Sequence, residues 1–170
     1  MQTLNVVHLR EITAELAASG KRVKVLWQQP SSLAFVARGR EYRSEFHVND
    51  SDEVTYMIKG TMRLHYRTPE GKEEVALIPE GATNIMPAGT PHSPRFPPDA
   101  FALILERGRR PGEIDRFRWY CPSCGGFLHE ETYWSTTTPT IRCRWPTSAS
   151  STASRHAPAR PAARSFRRRS

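Results

Sequence analysis

Two short stretches of the chain hold residues whose types and spacing suit a metal ion. In "EFHVNDSDEV", His47 and Glu53 flank a short polar loop. In "MPAGTPHSPRF", His92 follows a turn-forming Pro-Ala-Gly-Thr-Pro run that leads into a strand. Two imidazoles and one carboxylate suit Fe(II), and three ligands on one face leave adjacent positions open for a chelating substrate and O2. Zn(II) and Mn(II) tolerate the same set. A third stretch, "WYCPSCGG", puts Cys121 and Cys124 at the C-x-x-C spacing of half a four-thiolate site, and the one other cysteine is Cys143. Each histidine alone would be an ordinary loop or surface residue. The joint spacing of His47, Glu53 and His92 with glycines and prolines separates them from His65, read as strand surface, and His129, read as a loop residue.

These side chains need a rigid frame, and the hydrophobic pattern supplies one. "HLREITAELAASGK" sets Leu9, Ile12 and Leu16 on one helical face and ends at Gly20, a natural C-cap. The pattern then changes to short runs: "VKVLWQ", "SLAFVAR", "EVTYMIKG", "TMRLHYRT", "EEVALIPEG", "TNIMPAG" and "FALILERG". Gly, Pro, Asn or Asp punctuate them, which predicts an antiparallel sandwich or barrel. "TPEGKEE" is a hairpin turn between two of these strands.

A chain of 170 residues suffices for one domain with a real core. No apolar run reaches the ~18 residues of a membrane span, and the N-terminus lacks the pattern of a secretory signal. An odd, small cysteine count fits a reducing compartment, so a cytoplasmic location is expected. The net charge is +8, but from Thr132 onward there is no acidic residue and no lysine, and eight arginines. The remainder is balanced at 17 basic and 17 acidic residues. The excess charge thus belongs to the tail, and nothing in the body supports binding to nucleic acid.

The two histidine-bearing stretches resemble the paired signature segments of the cupin barrel. Gly39, His47, Glu53 and Gly60 match the first, with Glu45 where many cupins place a further histidine ligand. Gly81, Pro87, Gly89 and His92 match the second, with Phe96 where Asn is often found. The resemblance implies an all-β cupin fold (double-stranded β-helix, or jelly roll) with a short N-terminal helix. The expected organisation is a helical segment over 1–22, a barrel over 23–116, an incomplete rubredoxin-like knuckle over 117–135 and a low-complexity basic tail over 136–170. "YRSEFHVNDSDEVTYMIKG", "PAGTPHSPR" and "LILERGRRPGEIDRFRWYCPSCG" narrow the likeness to the 3-hydroxyanthranilate 3,4-dioxygenases in their bacterial form, from about Val25 to Glu131.

That resemblance implies a cytoplasmic Fe(II) enzyme that opens an aromatic amino-hydroxy acid with O2. The product would be 2-amino-3-carboxymuconate 6-semialdehyde, the quinolinate precursor in NAD biosynthesis and tryptophan–kynurenine catabolism. His47, Glu53 and His92 would hold the iron. Arg43, expected on the same strand face as His47, would meet dioxygen. Glu53 and Glu106 would contact the substrate, and Arg95 its carboxylate. The family usually reads H-S-P-Q-R where this chain reads "HSPRF", one residue shorter, so the direction of Arg95 decides that role. Cys121 and Cys124 match the first half of a second, rubredoxin-like iron site whose second pair is missing. Degenerate codons for "PARPAA", read in another frame, can spell Cys-x-x-Cys-Gly, which suggests an out-of-frame stretch, with a genuine basic tail as the alternative. The family's habit suggests a homodimer. Competing readings are a cupin dioxygenase for another aromatic amino or hydroxy acid, and a non-catalytic cupin binding module.

Overall fold

The computed structural model describes residue 4 and residues 6–134. The tail, its reading frame and Cys143 lie outside the described residues. Helix α1 (Leu9–Ser19) ends where expected, with Gly20 in the left-handed region at φ 68°. Leu16 is buried against Val36 and Phe101, and Leu9 and Ile12 pack on the same cluster. The predicted apolar stripe is therefore what docks the helix.

All the predicted runs form strands: β1 (Val23–Gln29), β2 (Ser32–Arg38), β4 (Glu53–Lys59), β5 (Met62–Arg67), β6 (Glu73–Ile78), β7 (Thr83–Met86) and β9 (Phe101–Glu106). Strand β8 (His92–Arg95) begins at His92, as its prolyl prelude implied. Three strands carried no clear run in the sequence: β3 (Phe46–Val48), β10 (Ile114–Tyr120) and β11 (Phe127–Trp134). His129 consequently sits in β11, opposite Trp119, rather than in a loop. The strands form two antiparallel sheets, ordered β1-β2-β9-β4-β7 and β11-β10-β3-β8-β5-β6. The expected turn joins β5 to β6, with the Thr68 N–H donating to the Lys72 carbonyl at 2.8 Å and Gly71 at φ 79°.

The parity of two strands determines where chemistry and core meet. Along β4 the buried residues alternate, Glu53, Thr55, Met57. From His92 the even steps of β8 lead to Phe96, which is buried with Met57, Met62 and Leu64. The face that carries a polar side chain at one end of each strand thus carries the apolar core at the other. Met57 and Met62 are fully buried, and each such side chain contributes about 1.5–3 kcal/mol on leaving water.

Gly39 is required by close approach. A Cβ there would lie 1.9 Å from the Pro97 carbonyl oxygen, and the Gly39 N–H bonds the Ala100 carbonyl at 3.0 Å. This contact ties the end of β2 to the turn between β8 and β9. Gly39→Ala should destabilise the fold by about 1–3 kcal/mol, read as an earlier thermal transition by circular dichroism. An unchanged transition would contradict the packing described.

Candidate metal centre

Strand β3 pairs with β8 at a single position, His47 opposite His92. The sheet thereby sets two imidazoles side by side, with ring centroids 5.4 Å apart. Glu53 opens β4 in the facing sheet and points inward by the alternation above. One donor atom from each of His47, Glu53 and His92 lies within 4.8 Å of the others, and His92 Nε2 is 3.6 Å from Glu53 Oε2. Adjacent ligands at ~2.1 Å from a metal stand roughly 3 Å apart, so small side-chain adjustments would close this cluster on a cation.

Hydrogen bonding and protonation favour the same use. His92 Nδ1 donates to the Thr90 carbonyl at 2.9 Å, which leaves Nε2 as the nitrogen facing Glu53. Burial pushes His47 below the ordinary histidine range, although Asp115 opposes it. Burial alone would raise the Glu53 carboxyl, but His92, His47 and Arg43 together hold it at about 2. A neutral imidazole and an ionised carboxylate are the forms that bind a divalent metal. The donor set therefore fits a first-row divalent cation.

The surrounding charges form a connected chain that the sequence did not reveal. Asp115 Oδ1 is 2.9 Å from His47 Nε2 and also receives Arg109 Nη2 at 2.8 Å and Nε at 3.0 Å. Arg109 Nη1 then donates to Glu106 at 2.8 Å and to Ser51 at 3.1 Å. Asn49, fully buried, donates to the same Glu106 oxygen at 3.1 Å. Phe117 stacks on His47 at 5.0 Å and 21°, closing the other side of the ring. Burial pushes the Glu106 carboxyl upward; Arg109 pulls it down without cancelling that shift, and Glu53 and Asp115 add to it. Burial would also raise Asp115, but His47 and Arg109 outweigh it and hold the carboxyl low.

The remaining expected residues divide. Arg43 is buried and acts electrostatically on Glu53, so it belongs to the site. It does not share a strand with His47, because β3 begins only at Phe46 and Arg43 lies in the irregular segment before it. Glu45 accepts from Arg43 at 3.0 Å and Arg40 at 2.7 Å, and stands outside the ligand cluster.

Arg95 is a correction. It lies an odd step from His92 on β8, so the pleat turns it to the opposite face of the sheet. There its guanidinium stands 5.9 Å over the Phe46 ring. Phe96 takes the inward place that the shortened "HSPRF" loop leaves, and it is buried in the core.

Cys121 and Cys124 sit in the turn joining β10 to β11, closed by the Cys121 N–H to the Gly126 carbonyl and the Gly125 N–H to the Cys121 carbonyl, both at 2.8 Å. Backbone N–H groups of Cys124 and Ser123 lower the Cys121 thiol. The turn thus presents two thiols, remote in sequence from the histidines, and the four-thiolate site remains a likeness of spacing.

Two facing antiparallel sheets with inward His47, Glu53 and His92 define a cupin fold that carries a candidate metal-binding group. A cupin-2 domain protein from Shewanella frigidimarina superposes with a TM-score of 0.50 over 61% of this chain and 95% of its own, at 15% identity, a likeness of fold. The family model described as 3-hydroxyanthranilic acid dioxygenase matches residues 14–140. A 3-hydroxyanthranilate 3,4-dioxygenase of Bacillus cereus is 36% identical over 129 residues, 76% of this chain and 72% of that one. The same-named protein of Neurospora crassa is 34% identical over 98 residues, 58% of this chain and 54% of its own. The chain belongs to the 3-hydroxyanthranilic acid dioxygenase family.

Asp115 holds a ligand from outside the cluster, and such partners affect metal affinity by about 10–100-fold. Asp115→Asn should weaken Fe(II) binding within that range, measured by anaerobic titration, with the thermal transition of the metal-free protein little changed. Undiminished affinity would remove Asp115 from the support of His47.

Proposed function

We propose that this chain opens the ring of 3-hydroxyanthranilate with O2 to give 2-amino-3-carboxymuconate 6-semialdehyde, using Fe(II) held by His47, Glu53 and His92. The observation that carries the reading is the converging cluster of two histidines and one glutamate in a chain of this family. When bound, Fe(II) supplies a centre where an adjacent hydroxyl and amine can chelate and where ring and dioxygen exchange electron density. The product is the quinolinate precursor of NAD biosynthesis.

The chain's own residues prepare and steer that chemistry. Glu53 and the two imidazoles occupy one side of the centre and leave the other for reactants. Arg43 offers a buried cation, steadied by Glu45, that favours negative charge developing on dioxygen. Glu106 is a candidate base for the substrate hydroxyl proton, because its raised carboxyl lies nearer neutrality than a free glutamate. Arg109 and Asn49 fix the orientation of that carboxyl.

A second reading has one observation in its favour. With Arg95 on the opposite face of β8, that residue cannot meet a substrate carboxylate, which favours an aromatic amino-hydroxy compound that does not depend on this contact. Both readings are separated by one assay. Anaerobically Fe(II)-loaded protein is given 3-hydroxyanthranilate or 2-aminophenol, then air, and ring opening is followed by absorbance. The primary reading expects turnover of 3-hydroxyanthranilate and loss of both iron binding and turnover in His47→Ala. Iron-loaded protein that turns over only 2-aminophenol would support the second reading, and inert iron-loaded protein would contradict both.

A further inference from the structure

On the face of the β11-β10-β3-β8-β5-β6 sheet turned away from the metal centre, most cations lie near a carboxylate. His65 is held by Glu73 at 2.8 Å. Arg67 donates to the Gly125 carbonyl at 2.6 Å and lies 4.2 Å over the Tyr120 ring. Arg118 pairs with Glu130 at 2.6 Å and Arg116 with Asp50 at 3.3 Å. Arg63 and Arg95 are different. They are partners across β5 and β8, so their side chains leave the same face side by side. Among the described residues neither has a carboxylate within ion-pair distance. The Nε of Arg95 is buried and has no hydrogen-bond partner.

Both features are unfavourable as they stand. Like charges directly opposite on neighbouring strands destabilise a sheet, and a buried donor without a partner loses its hydration with nothing in return. A single anion bridging the two guanidiniums would relieve the first. The space for it exists: the pair lines a groove of about 570 Å3, within the range of small-molecule sites. Leu77, 64% exposed, and Pro97 give the groove an apolar wall. Glu41 lines it as well and would repel a multiply charged phosphate more than a singly charged ion.

We propose that Arg63 and Arg95 form a binding site for a small organic carboxylate whose apolar body lies against Leu77 and Pro97. Planar guanidiniums match a carboxylate's two oxygens. The site stands on the outer face of the sheet, and it does not depend on the catalytic reading.

The test follows the Arg95 Nε–H resonance by NMR in the full chain, assigned by its loss in Arg95→Lys, while benzoate is titrated. A saturable shift is expected, weakened at least tenfold in Arg63→Ala, a change at an exposed position that should leave the fold intact. Ring-opening turnover should be unchanged in Arg63→Ala and Arg95→Lys. No shift, or a shift undiminished by Arg63→Ala, would overturn the proposal. A response to inorganic phosphate with none to benzoate would overturn the ligand class. If the protein self-associates by sedimentation and Arg63→Ala abolishes this, the pair belongs to a subunit contact and the proposal is overturned too.

Discussion

The pairing of His47 with His92 across β3 and β8 is the contact on which the site depends. It is a single register position between two very short strands. A slip of one residue would turn one imidazole to the far face and leave Phe46 or Ser93 in its place. Neighbouring elements hold the register from both sides. Phe117 lies opposite His47 on β10, and Tyr66 lies opposite His92 on β5. Just past the end of β8, Phe96 is anchored in the methionine-rich core. The packing of Gly39 against the Pro97 carbonyl fixes the turn that follows.

Glu53 comes from the other sheet, so the ligand cluster also spans the sandwich. Burying a carboxylate beside two imidazoles is costly unless the surrounding charges compensate. Here compensation comes from an extended chain rather than from one partner. Arg43 acts on Glu53, while Asp115 links His47 to Arg109, and Arg109 reaches Glu106. His47, Asp115, Arg109 and Glu106 are therefore parts of one hydrogen-bonded unit. Changing Arg109 would disturb Asp115 and Glu106 together, so effects of substitutions along the chain should not add.

Much of this was legible in the sequence, for physical reasons that also set the limit. The helix and most strands announce themselves because their apolar residues follow a period of 3.6 or 2. The candidate metal-binding group was readable because two histidines and a glutamate stood at turn-flanked strand ends. β3 and β8 are too short for alternation to register, and β10 is half-buried along its whole length. Asp115 and Arg109 gave no local signal, since their contacts are made only by tertiary pairing. Arg95 shows the converse. Its place in a familiar motif suggested the substrate, whereas strand parity, which the one-residue shortening changes, directs it to the opposite face.

The proposed chemistry turns on which atoms hold a bound Fe(II). X-ray absorption at the iron edge of the protein loaded with one equivalent of Fe(II) under anaerobic conditions measures this directly. The expected spectrum has nitrogen and oxygen neighbours at ~2.0–2.2 Å with imidazole scattering from two rings, lost in His92→Ala. Sulfur neighbours at ~2.3 Å, undisturbed by that substitution, would place the metal on Cys121 and Cys124 and contradict the assignment of the catalytic centre.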